Sequence, residues 1–450
     1  MRRADSTPEG LRAAVECLQA GGLVALPTET VYGLAASLDR PDALQRLSRL
    51  KERPADSPFP VIVSGLDGPA GLGRVAAQLP GRASELVRRF WPGPLTLVLP
   101  AAADLPPEVV GLDGTVGVRW SPDPALEELI ALLGAPVTAT SANLRGAPAA
   151  TDPSQVEQGL GAHLDLLLAG PPRRATLPST LVRPAADGSL TLLRRGPLPL
   201  PLLEQPDRFS LDSLRRGGVP FVQPRGRGLR VTIDPVLLAH FLVDQCSEGP
   251  VVDLGTGVGI LPLLLASQGW PGPFVGVELQ PELALLAREN AFLNRLDPAR
   301  FQVLEGDLRV VGEPLAAGGA SWVVTNPPYQ ALGQGRSSPD PARALACHEL
   351  GCSLAELAPV ARRLLRPGGQ VALILPGERE AEALDLLGKA DLAPRRLRRV
   401  ITRAGHAPTR LLLQAEAGGR GPLQEEPALQ LYQPGGGYTG EVARYLDGGA

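Results

Sequence analysis

Lysine is nearly absent from this chain. Only Lys51 and Lys389 are lysines among its 44 basic residues, and there are four asparagines, Asn143, Asn290, Asn294 and Asn326. A chain that uses arginine almost everywhere has drifted under nucleotide composition, so a persisting Lys or Asn raises a question of purpose. Cysteine is scarce as well. Cys17, Cys246, Cys347 and Cys352 form no CxxC pair, and only Cys347 has a neighbouring imidazole, that of His348. This excludes a disulfide framework, and the expectation is free thiols with no metal site. No apolar run approaches the roughly 20 residues of a membrane helix. The Arg-bearing N-terminus lacks the apolar stretch of a signal peptide. The expectation is a cytoplasmic protein with no membrane partner. A net charge of −3 excludes a uniformly basic coat, so any RNA contact is local.

What is present is enough apolar material for two cores: 44% hydrophobic content over 450 residues. Residues 8 to 20 carry apolar side chains at helical spacing, and Gly21-Gly22 then stops the helix. Residues 23 to 27 read as a buried strand, Asp42 to Arg53 as a helix and its end, and Phe59 to Val63 as another strand. The pattern is α/β. Pro197-Leu-Pro-Leu-Pro201 alternates proline and should be extended and semi-rigid. It divides the chain into a first domain at 5–198, a linker at 199–212 and a second domain at 213–446.

In the first half, Lys51 and Arg53 put two cations just past a helix end. Arg grips phosphate oxygens bidentately, and Lys is a compact charge that can follow a phosphate as it moves; a solvated helix terminus also favours cations. Val116-Gly117-Val118-Arg119 brings an arginine to a strand end, and Ser141-Ala142-Asn143 is a short polar loop suited to nucleotide contacts. The strings PTETVYGL, KERP, WPGPLTLV, VRW, TSAN, PST and LLRRG follow one another over residues 8–198. In that order they resemble the YrdC-type threonylcarbamoyl-AMP synthases. The resemblance implies a twisted open α/β sheet and a reaction joining L-threonine, bicarbonate and ATP, with Mg²⁺ accompanying ATP and pyrophosphate leaving. It implies Lys51 and Arg53 as the catalytic cations, and Lys51, Arg53, Ser57, Ser141, Asn143 and Arg194 as the ATP site. Thr30, Tyr32, Arg119 and Ser179 would line the threonine pocket. Three positions depart from the family: Ser57 stands where Lys or Asn is common, Phe59 where Leu is, and Arg145 where Ser is usual.

The second half turns on Thr325-Asn326-Pro327-Pro328-Tyr329, which follows the apolar run Trp322-Val323-Val324. It therefore sits at the carboxyl end of a strand, where open α/β sheets place ligands. Consecutive prolines end the strand rigidly. The Asn326 amide oxygen and the Pro327 carbonyl can both accept from one planar amine, and Tyr329 can stack beneath its base. Upstream, Val219 to Val231 reads as a strand pair, and Asp234 as the N-cap of a helix from Pro235 to Val243. Strand 251–254 then runs through Gly255, Gly257 and Gly259 into a helix. Asp253 precedes this turn, Glu278 ends the next strand with a carboxylate able to accept both ribose hydroxyls, and Asp307 ends the one after. A dinucleotide fold would want its third glycine at Ile260.

These features resemble the NPPY amino-methyltransferases, a Rossmann-like fold using S-adenosylmethionine. Gly333, Ser337-Ser338-Pro339-Asp340, Arg343-Ala344, His348-Glu349, Arg395 to Val400 and Tyr438-Thr439 resemble the tRNA1(Val) adenine-37 N6-methyltransferase family, with Cys347 standing where Arg is more common. That resemblance implies Asp253, Gly255, Gly257, Gly259, Glu278, Asp307 and Asn326 at the cofactor. Asn326, Pro327 and Tyr329 would be catalytic, and tRNA the substrate. Arg395, Arg396, Arg398 and Arg399, with Arg225, Arg227 and Arg230, form the candidate RNA footprint. The expectation is a fusion of two tRNA-modifying enzymes, with the threonylcarbamoyl product passed to a separate transferase complex. Protein glutamine methylation by the second half, or a non-catalytic tRNA-binding scaffold, are the alternatives.

Overall fold

The computed structural model describes the whole chain except residues 55, 174–176, 215–217, 227–229, 246–247, 311–317, 328–352 and 448–450. The fold is mixed α/β and divides into two compact units, Met1–Glu204 and Gln205–Ala450.

Two sheets build the first unit. One holds five strands in the order Arg2–Asp5, Leu166–Ala169, Val24–Leu26, Gly33–Ala35, Thr140–Ser141. The other holds six: Leu190–Arg194, Thr180–Pro184, Leu95–Pro100, Thr115–Trp120, Val61–Val63, Val137–Thr138. The helix Pro8–Gln19 starts where the Thr7 hydroxyl accepts from the Gly10 amide, and its Leu11, Ala14 and Leu18 are buried. They join Leu126, Leu129 and Ile130 of the helix Pro124–Leu133 in one core. The helix expected from Asp42 begins at Pro41 and stops at Leu50. Glu52 then takes a φ of 46°, which turns Lys51 and Arg53 out of the helical path.

The segment expected to be an extended linker is docked instead. Leu198 uses both its backbone groups on the Thr180 hydroxyl, at 2.9 and 3.0 Å. Leu200–Glu204 is a short helix with Leu202 and Leu203 buried. Arg82 donates to the Leu203 and Glu204 carbonyls, both at 2.7 Å, satisfying acceptors that a helix end leaves open. Alternating leucines give this stretch apolar surface to bury, and that outweighs the stiffness of its prolines. Residues 209–212, also assigned to the linker, belong to a strand. Phe209–Leu214 pairs antiparallel with Val219–Pro224, so the strand pair lies earlier than the expected 219–231.

The second unit is an eight-stranded sheet in the order Phe301–Glu305, Phe274–Glu278, Val251–Leu254, Ala320–Thr325, Leu365–Pro376, Pro408–Ala417, Leu392–Ile401, Gln424–Gln430. The first five run parallel. Pro408–Ala417 is antiparallel to both its neighbours. The chain leaves Val251–Leu254 towards one side and later returns on the other, so the crevice at the carboxyl ends of Val251–Leu254 and Ala320–Thr325 is the topological switch point. Asp234 does not cap its helix, which carries no side-chain cap. Its buried carboxylate takes the Arg410 guanidinium at 3.0 Å instead, because an ion pair with a partner 176 residues away outcompetes a local cap. Among the described residues no helix is long and apolar enough to cross a membrane.

Close packing beneath the crevice depends on Gly276, where an added Cβ would lie 2.8–2.9 Å from three Thr256 side-chain atoms. Gly276→Ala should therefore destabilise the second unit by about 1–3 kcal/mol. Gly388→Ala, on a helix with nothing within 4 Å, should stabilise it by about 0.5–1 kcal/mol. Urea unfolding of the two variants gives both values.

Candidate active sites

In the first unit, the end of the helix Pro41–Leu50 delivers Lys51 to the Ser141–Asn143 turn. Its ammonium donates to the Ser141 carbonyl at 3.0 Å, the Asn143 carbonyl at 2.6 Å and the Asn143 Oδ1 at 2.8 Å. The Ser141 hydroxyl donates to the same Oδ1 at 2.7 Å. Arg53 donates to Ser57 Oγ at 3.1 Å, and its guanidinium lies 4.5 Å from the Phe59 ring centroid. Two of the departures from the family pattern thus hold a cationic side chain in place. The third, Arg145, donates to the Glu52 carbonyl at 3.2 Å.

Lys51, Arg53, Ser57, Ser141, Asn143 and Arg194 all line one cleft of about 410 Å³. Glu52, which is exposed, is the only carboxylate among the described lining residues. Burial, then repulsion from Arg53, pushes the Lys51 pKa down to about 8. Burial, then Arg119 and Arg53, pushes Arg194 down to about 10. Burial lowers Arg53 too. Cations crowded with so little compensating negative charge make an anion site.

Thr30, Tyr32, Arg119 and Ser179 are all buried. Arg119 donates to the Thr30 hydroxyl at 3.2 Å and is ion-paired with Glu29, which also accepts from the Ser121 hydroxyl. Ser179 shares a 2.7 Å hydrogen bond with Thr96, and its hydroxyl and carbonyl accept from Arg194 at 3.0 and 3.1 Å. The Tyr32 hydroxyl turns away to Gly170, 2.9 Å from both its backbone groups. Glu29 and Ser121 were not singled out from the sequence. The available signal was that Arg119, at a strand end, needed a counterion, and Glu29 lies inside the PTETVYGL string.

In the second unit, Gly255, Gly257 and Gly259 take φ values of 74°, 57° and 81°. An added Cβ at Gly255 or Gly257 would meet nothing within 4 Å, whereas at Gly259 it would press on Phe301 and Ala287 at 3.1 and 3.3 Å. The first two therefore face open space, and the third packs the helix Ile260–Ser267. The Glu278 carboxylate accepts from the Gly257 and Gln280 amides at 2.8 and 2.9 Å. Burial raises its pKa. Asp253 accepts from Thr256 Oγ1 at 2.7 Å. Burial is the main cause that pushes it up to about 7, the Thr256 bond opposes this, and Glu278 adds to it.

Across the crevice, the Thr325 hydroxyl donates to the Leu254 carbonyl at 2.7 Å and pins the two strand ends together. Asn326 follows half-buried and Pro327 buried. Pro328, Tyr329, Gly333, Ser337–Asp340, Arg343–Ala344, Cys347–Glu349 and Arg227 lie outside the described residues. Asp307 is held by the Arg309 side chain, which lowers its pKa.

The arginine run is not an open basic surface. Arg395 pairs with Glu416 at 2.9 Å, Arg396 with Glu426 at 2.7 Å, Arg398 with Glu441 at 2.7 Å and Arg399 with Glu380 and Glu425. Arg225 donates to the Phe209 carbonyl and Arg230 pairs with Asp212. The run alternates faces along one strand and meets acids from neighbouring elements that sequence spacing cannot reveal.

Residues 16–196 match the Sua5/YciO/YrdC family model, described as telomere recombination. A threonylcarbamoyl-AMP synthase of Photobacterium profundum is 32% identical, over 42% of this chain and 100% of that protein. One from Pyrococcus abyssi is 36% identical over 43% of this chain; the match takes in 56% of that protein, so the chain spans about half its length. Among solved structures, a predicted O-methyltransferase from Agrobacterium tumefaciens is 24% identical with a TM-score of 0.40, covering 48% of this chain and 97% of that one.

Two titrations follow. With the Lys51 pKa pushed down to about 8 by burial and Arg53, anion binding favours its charged form. Binding of an inorganic anion such as sulfate at pH 8.5 should therefore take up protons, and affinity should fall from pH 7 to 9. Calorimetry in buffers of different ionisation enthalpy measures the uptake, which Lys51→Arg should abolish. Asp253, raised from 3.8 to about 7, is harder to ionise folded than unfolded. Stability of the second unit should therefore fall as pH rises from about 4 to about 7 and then level off. Asp253→Asn should flatten that slope in urea titrations.

Proposed function

Since the chain belongs to the Sua5/YciO/YrdC family through residues 16–196, we propose that its first unit makes threonylcarbamoyl-AMP from L-threonine, bicarbonate and ATP. The observation that carries this reading is the convergence of Lys51, Arg53 and Arg194 on one cleft with Ser141 and Asn143. A carbamate oxygen on threonine attacks the α-phosphorus, the bond from that phosphorus to the bridging oxygen breaks, and pyrophosphate leaves. Negative charge grows on the phosphate oxygens, and Lys51 and Arg53 stabilise it in a cleft where they are already short of counterions. Mg²⁺ enters with ATP, since the only carboxylate among the described lining residues is the exposed Glu52. Arg194 joins this cleft to Ser179, and Ser179, Thr30 and Arg119 would hold the threonine. The activated product is consumed by a separate transferase acting on tRNA.

For the second unit the reading is methyl transfer from S-adenosylmethionine to the N6 amine of a tRNA adenine. A carboxylate offers about four acceptor sites. Glu278 accepts from the Gly257 and Gln280 amides and keeps acceptor capacity for ribose hydroxyls, while Gly255 and Gly257 face open space. When bound, the cofactor supplies an electrophilic methyl group. Asn326 Oδ1 and the Pro327 carbonyl would hold the amine hydrogens and so orient the nitrogen lone pair for attack. A protein glutamine amide would fit the same two acceptors.

Pyrophosphate release should require ATP, threonine and bicarbonate together, and Lys51→Ala should reduce kcat/KM about 100-fold or more. Release independent of threonine would overturn the reading of the first unit. Bulk unmodified tRNA incubated with S-adenosylmethionine should gain N6-methyladenosine by nucleoside mass analysis, and Asn326→Ala should abolish the gain. Methyl label found in protein alone would move the assignment to glutamine.

A further inference from the structure

We propose that the loops 402–407 and 431–439 form a platform on which a base of a single-stranded RNA segment stacks. This rests on the RNA methyltransferase reading of the second unit and adds a substrate contact outside its crevice. Tyr432 and Tyr438 face each other across an isolated antiparallel bridge. Their rings are stacked with centroids 5.1 Å apart and planes 19° apart. Gly436 and Gly437, at φ 89° and 77°, make the turn that folds one ring onto the other. Tyr438 is nevertheless 37% exposed, so the stack is not a core contact.

The neighbouring loop joins the platform through the Tyr432 amide, which donates to the Thr402 carbonyl at 3.1 Å. That loop carries Arg403 and His406, both exposed. The preceding arginines of the same stretch, Arg395 to Arg399, are each ion-paired, whereas Arg403 has no ion pair among the described residues. An aromatic face beside an unneutralised guanidinium is the combination that stacks a base and holds its phosphate.

Register places this platform at the edge of the sheet that holds the crevice. Thr325 pairs with Leu373 in parallel, Pro376 with Arg410 antiparallel, Ile401 with Pro408 antiparallel and Ile401 with Gln430 in parallel. The loops after Ile401 and Gln430 therefore emerge at the same end as Asn326. Four strand spacings separate Ala320–Thr325 from Gln424–Gln430, about 19 Å. At about 3.4 Å per stacked nucleotide, one short single-stranded segment reaches both places. An acidic peptide would also meet Arg403 and His406 but has no use for the ring face. That difference decides the test.

Binding of a short, labelled, unstructured RNA to the full chain is measured by fluorescence anisotropy, in parallel with methyl transfer to tRNA. Tyr438→Phe should bind like the wild type. Tyr438→Ala and Tyr438→Leu should each weaken binding by about tenfold or more, and Leu keeps apolar packing on Tyr432 while removing the ring. Arg403→Ala should weaken binding and lower its salt dependence. Wild-type affinity in Tyr438→Leu, or no RNA binding by the wild type, would overturn the platform. If Tyr438-dependent RNA binding appears without methyl transfer to RNA, the platform stands and the assigned methyl acceptor fails. If methyl transfer proceeds while Tyr438→Ala binds normally, the acceptor stands and the platform fails.

Discussion

The Lys51 ammonium is held by three neutral oxygens of the Ser141–Asn143 turn and has no carboxylate partner among the described residues. The first unit's chemistry is built on that imbalance. The contact ties the end of the helix Pro41–Leu50 to a segment 90 residues away, so the chain's own hydrogen bonds shape the cleft. It also leaves the cation half-desolvated and uncompensated, as its pKa of about 8 reflects. Neutral acceptors position a charge without cancelling it. A carboxylate in their place would have stabilised the empty site and removed its attraction for phosphate.

The second unit uses the opposite sign. Asp253 and Glu278 are buried side by side at strand ends, and both are pushed towards their protonated forms. Amide donors from Gly257 and Gln280 and the Thr256 hydroxyl partly offset the cost of burying them. A cofactor bearing hydroxyl donors would complete that set. Asn326 and Pro327 follow the neighbouring strand, Ala320–Thr325, which Thr325 pins to the first. Each unit is thus strained electrostatically where its ligand is proposed to bind.

Much of this was legible in the sequence, for physical reasons. Alternating runs and glycine breaks revealed the α/β class, because strand and helix periodicities are local. Strings such as KERP and TSAN marked the cleft through their resemblance to the YrdC-type synthases, and the rarity of lysine and asparagine in this chain drew attention to them. What escaped depends on distant partners. The Arg395–Arg399 run advertises charge, but its acids lie on other elements, Glu380 and Glu441 among them. Asp234 had the local signature of a cap and was claimed by Arg410. Pro-Leu alternation implied an extended, semi-rigid linker, and only Thr180 and Arg82, far back in the chain, explain why it docks. Glu29 was visible as a letter, but its role appears only when Arg119 and Ser121 close on it.

The central claim is that the Lys51 cleft couples bicarbonate and threonine to an adenylate. The most direct measurement is mass spectrometry of the nucleotide products formed from ATP, threonine and carbon-13 bicarbonate. The expected product is a threonine-bearing adenylate that carries the bicarbonate carbon and disappears in Lys51→Ala. AMP released without that carbon, or a labelled product undiminished by the substitution, would contradict it.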